Sequence, residues 1–348
     1  MAWFVPEALS LITTHRCTAA CEHCCFGCSP TTDEAIPLPR LHALVEETRD
    51  VPSIRMVVFT GGECFLLGRH LDQLVGRCRR LGLRTRCVSN GYWATGPEAA
   101  QARIRDLRRA GLDELNLSTG PHHARFVPWE RVAWGAAAAA EAGLSGVVVN
   151  VESFQGADLD ASRVAAHPVL REPLAQGRVQ VIQAPWIPAG SEWRDGRGPC
   201  APAHPEQHLR FRDGGAGACP SSLRSVTVTP AQDLVTCCGL NLEHIPQLHV
   251  ASVRDRSLAT ALAGVPPDLL KIWIHLDGPE QVLAFVRSKD PAIDLPLESA
   301  HICHTCQHLF TSPQALAVLA RHREEVEARV LDRYLTAAAA QGLLARLA

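Results

Sequence analysis

The sequence predicts an α/β fold: a parallel sheet of six strands with right-handed crossovers, covered by helices on the outside. Three observations predict it. Short β-branched runs alternate with longer Ala/Leu/Arg-rich segments whose apolar residues recur at helical spacing. Each of the first four helical segments is followed closely by a glycine or a polar break. The unusual residues fall just after the strands, where parallel α/β folds gather their sites.

In order, the predicted strands are "LSLIT" (9–13), "RMVVFT" (55–60), "TRCVSN" (85–90), "ELNLST" (114–119), "GVVVNVES" (146–153) and "RVQVIQA" (178–184). Helices are predicted over 38–49, 68–82, 97–110, 128–143 and 158–175. The apolar "VVVNV" suggests a sheet buried on both faces. Strand one runs into a cysteine cluster, strand two into "TGGEC", strand three into "SNG" and strand four into "STG", while strand five carries Asn150. Around residue 185 the pattern changes. "APWIPAGSEWRDGRGPCAPAHP" is rich in Pro and Gly and reads as a linker. "SVTVTPAQDLVTC" then reads as a short hairpin, 246–310 is mixed, and 313–346 has the spacing of an amphipathic helix. The expected units are 1–190, 191–312 and 313–348.

At 348 residues and 47% hydrophobic, the chain can bury a sizeable core. Its 34 Lys and Arg nearly balance 36 Asp and Glu, so composition gives no reason to invoke nucleic acid or an anionic membrane. No apolar run reaches the roughly 18 residues of a membrane span. "MAWFVPEALS" lacks the basic and apolar regions of a secretory signal. The expectation is a cytoplasmic chain with reduced thiols. Its 14 cysteines then read as metal ligands or reactive thiols rather than a disulfide framework.

"CTAACEHCCFGC" (17–28) crowds five cysteines into twelve positions. Cys17, Cys21 and Cys24 follow C-x3-C-x2-C, a loop in which three thiolates can converge on one small inorganic core. Thiolates ligate Fe–S clusters and structural zinc. Three ligands leave one iron of a [4Fe–4S] cube open to an exogenous chelator. Zinc on Cys21, Cys24, Cys25 and Cys28 is the other reading of this loop.

With the other strand ends added, the sequence resembles the radical SAM superfamily over roughly residues 8–190. In that family C-x3-C-x2-C after the first strand binds [4Fe–4S], and an aromatic residue or His commonly precedes the third Cys; His23 fills that position. Gly61, Gly62 and Glu63 match the G-G-E that hydrogen-bonds the amino group of S-adenosylmethionine (SAM). Glycines admit a close backbone approach, and a carboxylate pairs with an ammonium. Ser89, Asn90 and Gly91 resemble the third-strand turn, Ser118 sits where a ribose-contacting residue is usual, and Asn150 is a further implied cofactor contact. "HHARFVPWERVAWGAAAAAEAGL" resembles the segment leading from the fourth strand into the next helix. Gly120 departs from the acidic residue of many relatives, and Cys64 from their Pro. Cys64 is either a small buried residue or a thiol facing the SAM pocket. Cys25 and Cys28 are surplus to the triad: inert, hydrogen-atom donors in the substrate pocket, or ligands of a further metal.

Beyond residue 190 lie Cys200, Cys219, Cys237, Cys238, Cys303 and Cys306. "CPSSLRSVTVTPAQDLVTCC" resembles the start of a SPASM or twitch domain, with Gln232 in place of the turn Gly, and "CHTC" matches the next element. The implied fold is a partial (β/α)6 barrel of parallel strands with a smaller C-terminal Fe–S domain. The simplest count is one auxiliary [4Fe–4S] cluster on Cys219, Cys237, Cys303 and Cys306, with Cys238 or Cys200 as substitutes. A zinc-ribbon-like staple drawing on His301, His304 or His308 is the alternative.

The resemblance implies an enzyme in which an external one-electron reductant charges the first cluster. SAM is then cleaved to methionine and a 5′-deoxyadenosyl radical that abstracts a substrate hydrogen. An auxiliary cluster that accepts an electron would leave an oxidised product or crosslink, and a cysteine that returns a hydrogen atom would leave an epimer. The implied substrate is a ribosomally made peptide, modified by crosslink, thioether or epimerisation. About eight residues precede the first strand, so no fused leader-binding domain is expected. The peptide then needs a separate leader-recognition protein or a direct groove. A small-molecule dehydrogenase or epimerase, acting on a sugar or an amino-acid derivative, is the second reading. A non-catalytic Fe–S electron carrier is the third; it has no use for an open iron or for G-G-E.

Overall fold

The computed structural model describes residues 4–154, 156–185, 209–210, 217–293, 298–299 and 301–340. Six parallel strands follow the predicted order: β1 (Ala8–Ile12), β2 (Met56–Thr60), β3 (Arg84–Ser89), β4 (Glu114–Thr119), β5 (Gly146–Ser153) and β6 (Gln180–Pro185). The helices between them include α1 (Leu38–Glu47), α2 (Arg69–Arg80), α3 (Pro97–Ala110), the short α4 (Pro121–Ala124) and α5 (Trp129–Glu141). Each long helix turns one apolar stripe to the sheet: Leu41, Leu44 and Val45 on α1, Leu71, Leu74 and Val75 on α2, Ile104 and Leu107 on α3. Side chains of that size, fully buried, contribute about 1.5–3 kcal/mol each. α5 buries Ala133, Ala136, Ala137, Ala139 and Ala140, whose small volume lets it lie close on β4 and β5.

The strands are not buried equally on both faces, contrary to the expectation from "VVVNV". Val147, Val149 and Val151 are buried under the helices, whereas Val148 and Asn150 line a central cavity. The period-two alternation arises because the sheet curls, so its inner face bounds open space.

Two predicted helices are broken. Over 158–175 the chain forms Ala161–Ala165, a 3-10 turn Pro168–Leu170 and Arg171–Ala175. Pro168 forces His167 out of the helical region, to φ −61° and ψ 128°. Over 313–346 there are two helices, Pro313–Arg321 and Arg323–Ala340. Basic Arg321 ends the first, and acidic Glu324 and Glu325 open the second. Each charge suits its helix dipole.

After β7 (Leu209–Arg210), the hairpin of β8 (Ser225–Val228) and β9 (Asp233–Val235) extends the same sheet. β8 lies parallel to β1, with Leu9 between Val57 on one side and Val226 on the other. β10 (His249–Ser252) follows β9 at the edge, and β11 (Glu298–Ser299) pairs with β7. The hairpin turn puts Gln232 at φ 66°, the left-handed conformation that favours glycine. No helix among the described residues is long and apolar enough to cross a membrane.

Candidate active site

The carboxyl ends of the strands open on one cavity of about 570 Å³. Its lining includes Cys17, Cys21, His23, Cys24, Gly61, Gly62, Ser89, Asn90, Ser118 and Asn150, so every sequence-predicted cofactor contact except Glu63 reaches it.

Two glycines set the position of the cysteine loop. Gly62 donates its N–H to the Thr14 carbonyl at 2.7 Å, and the next amide, of Glu63, donates to Arg16 at 3.0 Å. A Cβ on Gly61 would come within 2.5 Å of the Thr14 oxygen, and one on Gly62 within 2.3 Å of the Arg16 oxygen. Gly61 also has φ 129°. The pair therefore serves close approach to the chain entering the cysteine loop.

Glu63 sits beneath the cavity wall rather than in it. It is fully buried. One carboxylate oxygen accepts from the Phe65 amide at 3.0 Å; the other accepts from the Ser89 hydroxyl at 3.0 Å and the Asn90 amide at 2.9 Å. Its oxygens take protein donors from both loops, so it clamps the β2 and β3 loops together. Burial pushes its pKa up to about 7 against those donors. Asn90 passes the clamp onward: its Nδ2 donates to the Thr18 hydroxyl at 3.0 Å and lies 3.5 Å from the Cys17 sulfur. Ser118 and Asn150 are cross-strand partners on β4 and β5.

Cys17, Cys21 and Cys24 converge closely enough to oppose one another's ionisation. Burial pushes Cys17 up to about 11 and Cys21 to about 12, with the neighbouring thiols adding to the shift. Cys24, bonded by the Cys28 thiol, falls to about 6. Three converging, desolvated sulfurs suit a thiophilic iron–sulfur core, whose cationic irons would hold them as thiolates. Cys25 and Cys28 also line the cavity. Cys64 does not; it is fully buried and its thiol donates to the Val88 carbonyl at 3.3 Å.

The second set also assembles. The sulfurs of Cys237 and Cys303 flank Gly239, at 3.2 and 2.8 Å from where its Cβ would stand. Cys306 follows Cys303 by one turn on the helix Ile302–Thr311. Cys219 is near enough to push both of these thiols up, though burial is the larger cause. Cys238 is the exposed member and lines the central cavity, together with Gly239 to Leu242. His301 caps the helix by accepting the Cys303 amide at 3.1 Å, and the Nε2 atoms of His304 and His308 lie 2.6 Å apart. Cys200 lies outside the described residues.

Sequence reasoning missed the group opposite His23. Glu152 on β5 contacts the His23 ring and lines the cavity beside His123. Burial raises its carboxyl, but His23, then His123 and His122, outweigh this and hold it below the usual range. Gly120 makes the meeting possible: at φ 152°, its Cβ would stand 2.0 Å from the Glu152 carbonyl oxygen. Glu152 lies two residues after Asn150, on the same face of β5, and that spacing was the available signal.

Residues 11–151 match the model of the radical SAM superfamily. A protein named for peptide biosynthesis, YydG of Bacillus subtilis (strain 168), is 31% identical over 121 residues, which is 35% of this chain and 38% of that protein. The PqqA peptide cyclase of Streptomyces rochei is 31% identical over 114 residues, 32% of this chain and 29% of the cyclase. The chain thus matches only about a third of the length of these relatives. Streptococcus suis SuiB, solved bound to the precursor peptide SuiA, is similar in fold, with a TM-score of 0.52 and 13% identity over 75% of this chain and 65% of SuiB.

Proposed function

Because residues 11–151 match the radical SAM superfamily model, we propose that this chain belongs to that superfamily, reductively cleaves SAM to a 5′-deoxyadenosyl radical and removes a hydrogen atom from a peptide. The observation that carries this reading is the three-thiol loop Cys17, Cys21 and Cys24 opening into the same cavity as Ser89, Asn90, Ser118 and Asn150. Cys17, Cys21 and Cys24 would hold a [4Fe–4S] cluster with one iron left for SAM, and the polar strand-end residues would orient SAM. Cys219, Cys237, Cys303 and Cys306 would hold one auxiliary [4Fe–4S] cluster. Residues 1–190 are the catalytic barrel in this scheme, 191–312 the auxiliary region and 313–348 a helical C-terminal part.

A peptide is the substrate class on two grounds. The relatives YydG and PqqA cyclase are named for peptide chemistry. Among the described residues β6 and β10 also pair on one side only, leaving sheet edges that an extended peptide can join. A separate leader-recognition protein would supply the rest of the affinity.

Epimerisation is the outcome that the cavity favours. The exposed thiol of Cys238 lines it, placed to return a hydrogen atom to a substrate carbon radical. The sulfur radical left behind is restored by one electron and one proton, and the external one-electron reductant supplies that electron. A small-molecule epimerase would use the same groups, and substrate trials separate the two.

The test is anaerobic protein with reductant and SAM. Formation of 5′-deoxyadenosine is expected, with about eight irons per chain falling to about four in a Cys17→Ala/Cys21→Ala/Cys24→Ala variant. In D2O, a precursor peptide should gain deuterium at an α-carbon, and Cys238→Ala should abolish that gain. Intact clusters without SAM cleavage would instead identify an electron carrier.

A further inference from the structure

His23, His123 and Glu152 reach one point from three elements: the cysteine loop, the turn after β4, and the end of β5. One donor atom from each lies within 4.8 Å of the others. Nε2 of His23 contacts Oε2 of Glu152, and the rings of His23 and His123 stand edge to face with centroids 4.8 Å apart. Oε2 of Glu152, Nδ1 of His23 and Nδ1 of His123 are each sealed from water without a hydrogen-bond partner. Leaving buried polar atoms unmatched costs about 1–3 kcal/mol each, so this convergence calls for something between the three groups.

The ligand chemistry is specific. Two imidazoles and a carboxylate, with no sulfur, form a donor set for a divalent transition ion, zinc above all. Nδ1 of His123 is buried with no protein partner, and a neutral imidazole there has a lone pair to give. We propose that His23, His123 and Glu152 bind one zinc ion, separate from both thiol sets. All three residues line the cavity, and three protein ligands leave the fourth position of tetrahedral zinc facing it. That position takes an oxygen donor. On the peptide reading above, on which this clause alone rests, the donor is a backbone carbonyl, held and polarised beside the reacting carbon. Coordination through the edge of His23 leaves its ring face available to the cavity.

The experiment is metal analysis and zinc-edge X-ray absorption on anaerobically purified holoenzyme. Wild type should carry one zinc per chain with nitrogen and oxygen neighbours only. Glu152→Gln and His123→Asn should bind zinc at least roughly tenfold more weakly, with iron and sulfide unchanged. No zinc in wild type, a sulfur neighbour in its shell, or equal zinc in both variants would overturn the assignment. The absorption measurement on wild type decides the matter even where a variant fails to fold. Iron content and SAM cleavage report separately on the radical reading, so either proposal can fail while the other stands.

Discussion

Nε2 of His244 lies 3.0 Å from the carbonyl oxygen of Cys25, joining a late segment of the chain to the middle of the first cysteine loop. The residue before it, Glu243, is 3.0 Å from Nε2 of His15. These contacts fasten the segment 238–244 over the cavity that Cys238 to Leu242 line. Loss of one such bond is worth about 1 kcal/mol. His244→Ala should therefore speed amide exchange across 238–244, read by hydrogen–deuterium exchange. Unchanged protection there would mean that the segment is held by other contacts.

The second contact makes stability depend on pH. Burial lowers the pKa of His15, but Glu243 and then Glu34 outweigh it, and the net shift is upward. The folded state then binds a proton that the unfolded chain gives up near pH 6.5. The contribution is complete below about pH 6.5 and fades as the pH rises through the higher folded value. Denaturation of wild type and His15→Gln at a series of pH values should show the largest difference on the acid side, converging in alkali.

Glu63 receives three hydrogen bonds in a site closed to water. Glu63→Gln presents an N–H₂ to at least one of those donors, and about 1–3 kcal/mol of stability should be lost. Urea unfolding measures it. A neutral result would show that the loops hold without the clamp.

Gly62→Ala sets a methyl against the Arg16 carbonyl. Backbone must move to relieve it, at about 1–3 kcal/mol, and the cysteine loop moves with it. Iron per chain, counted after reconstitution, should fall. Gly120→Ala acts at a different place, driving the turn of His122 and His123 away from Glu152, and should leave iron content intact.

Gln232 occupies a left-handed turn without being glycine, a conformation costing about 1–2 kcal/mol for a residue with a Cβ. Gln232→Gly removes that cost and adds freedom to the unfolded chain. A net gain of about 0.5 kcal/mol, seen as a higher melting temperature, is expected.

Strand order and the three-thiol loop were legible because both are local patterns: alternation of periods, and C-x3-C-x2-C directly after a strand. Gly61 and Gly62 were legible as a close approach, but their partner, the carbonyls of Thr14 and Arg16, is a tertiary fact. The clamp made by Glu63 is hidden for the same reason, since its three donors come from Phe65, Ser89 and Asn90 and only folding brings the last two near. Gln232 hides a glycine position behind another residue type. The meeting of His23, His123 and Glu152 depends on strand register between β4 and β5, which no short window of sequence contains.

Because β8 pairs alongside β1, the first strand leaves the ribosome long before its second neighbour is made. Until then that flank of the nascent barrel stays uncovered, and the cysteine loop beside it stays open to solvent. Docking of β8 and of the segment after it shuts the door. On the cluster proposed above, stalled chains ending short of Ser225 should accept iron faster than the finished, emptied protein.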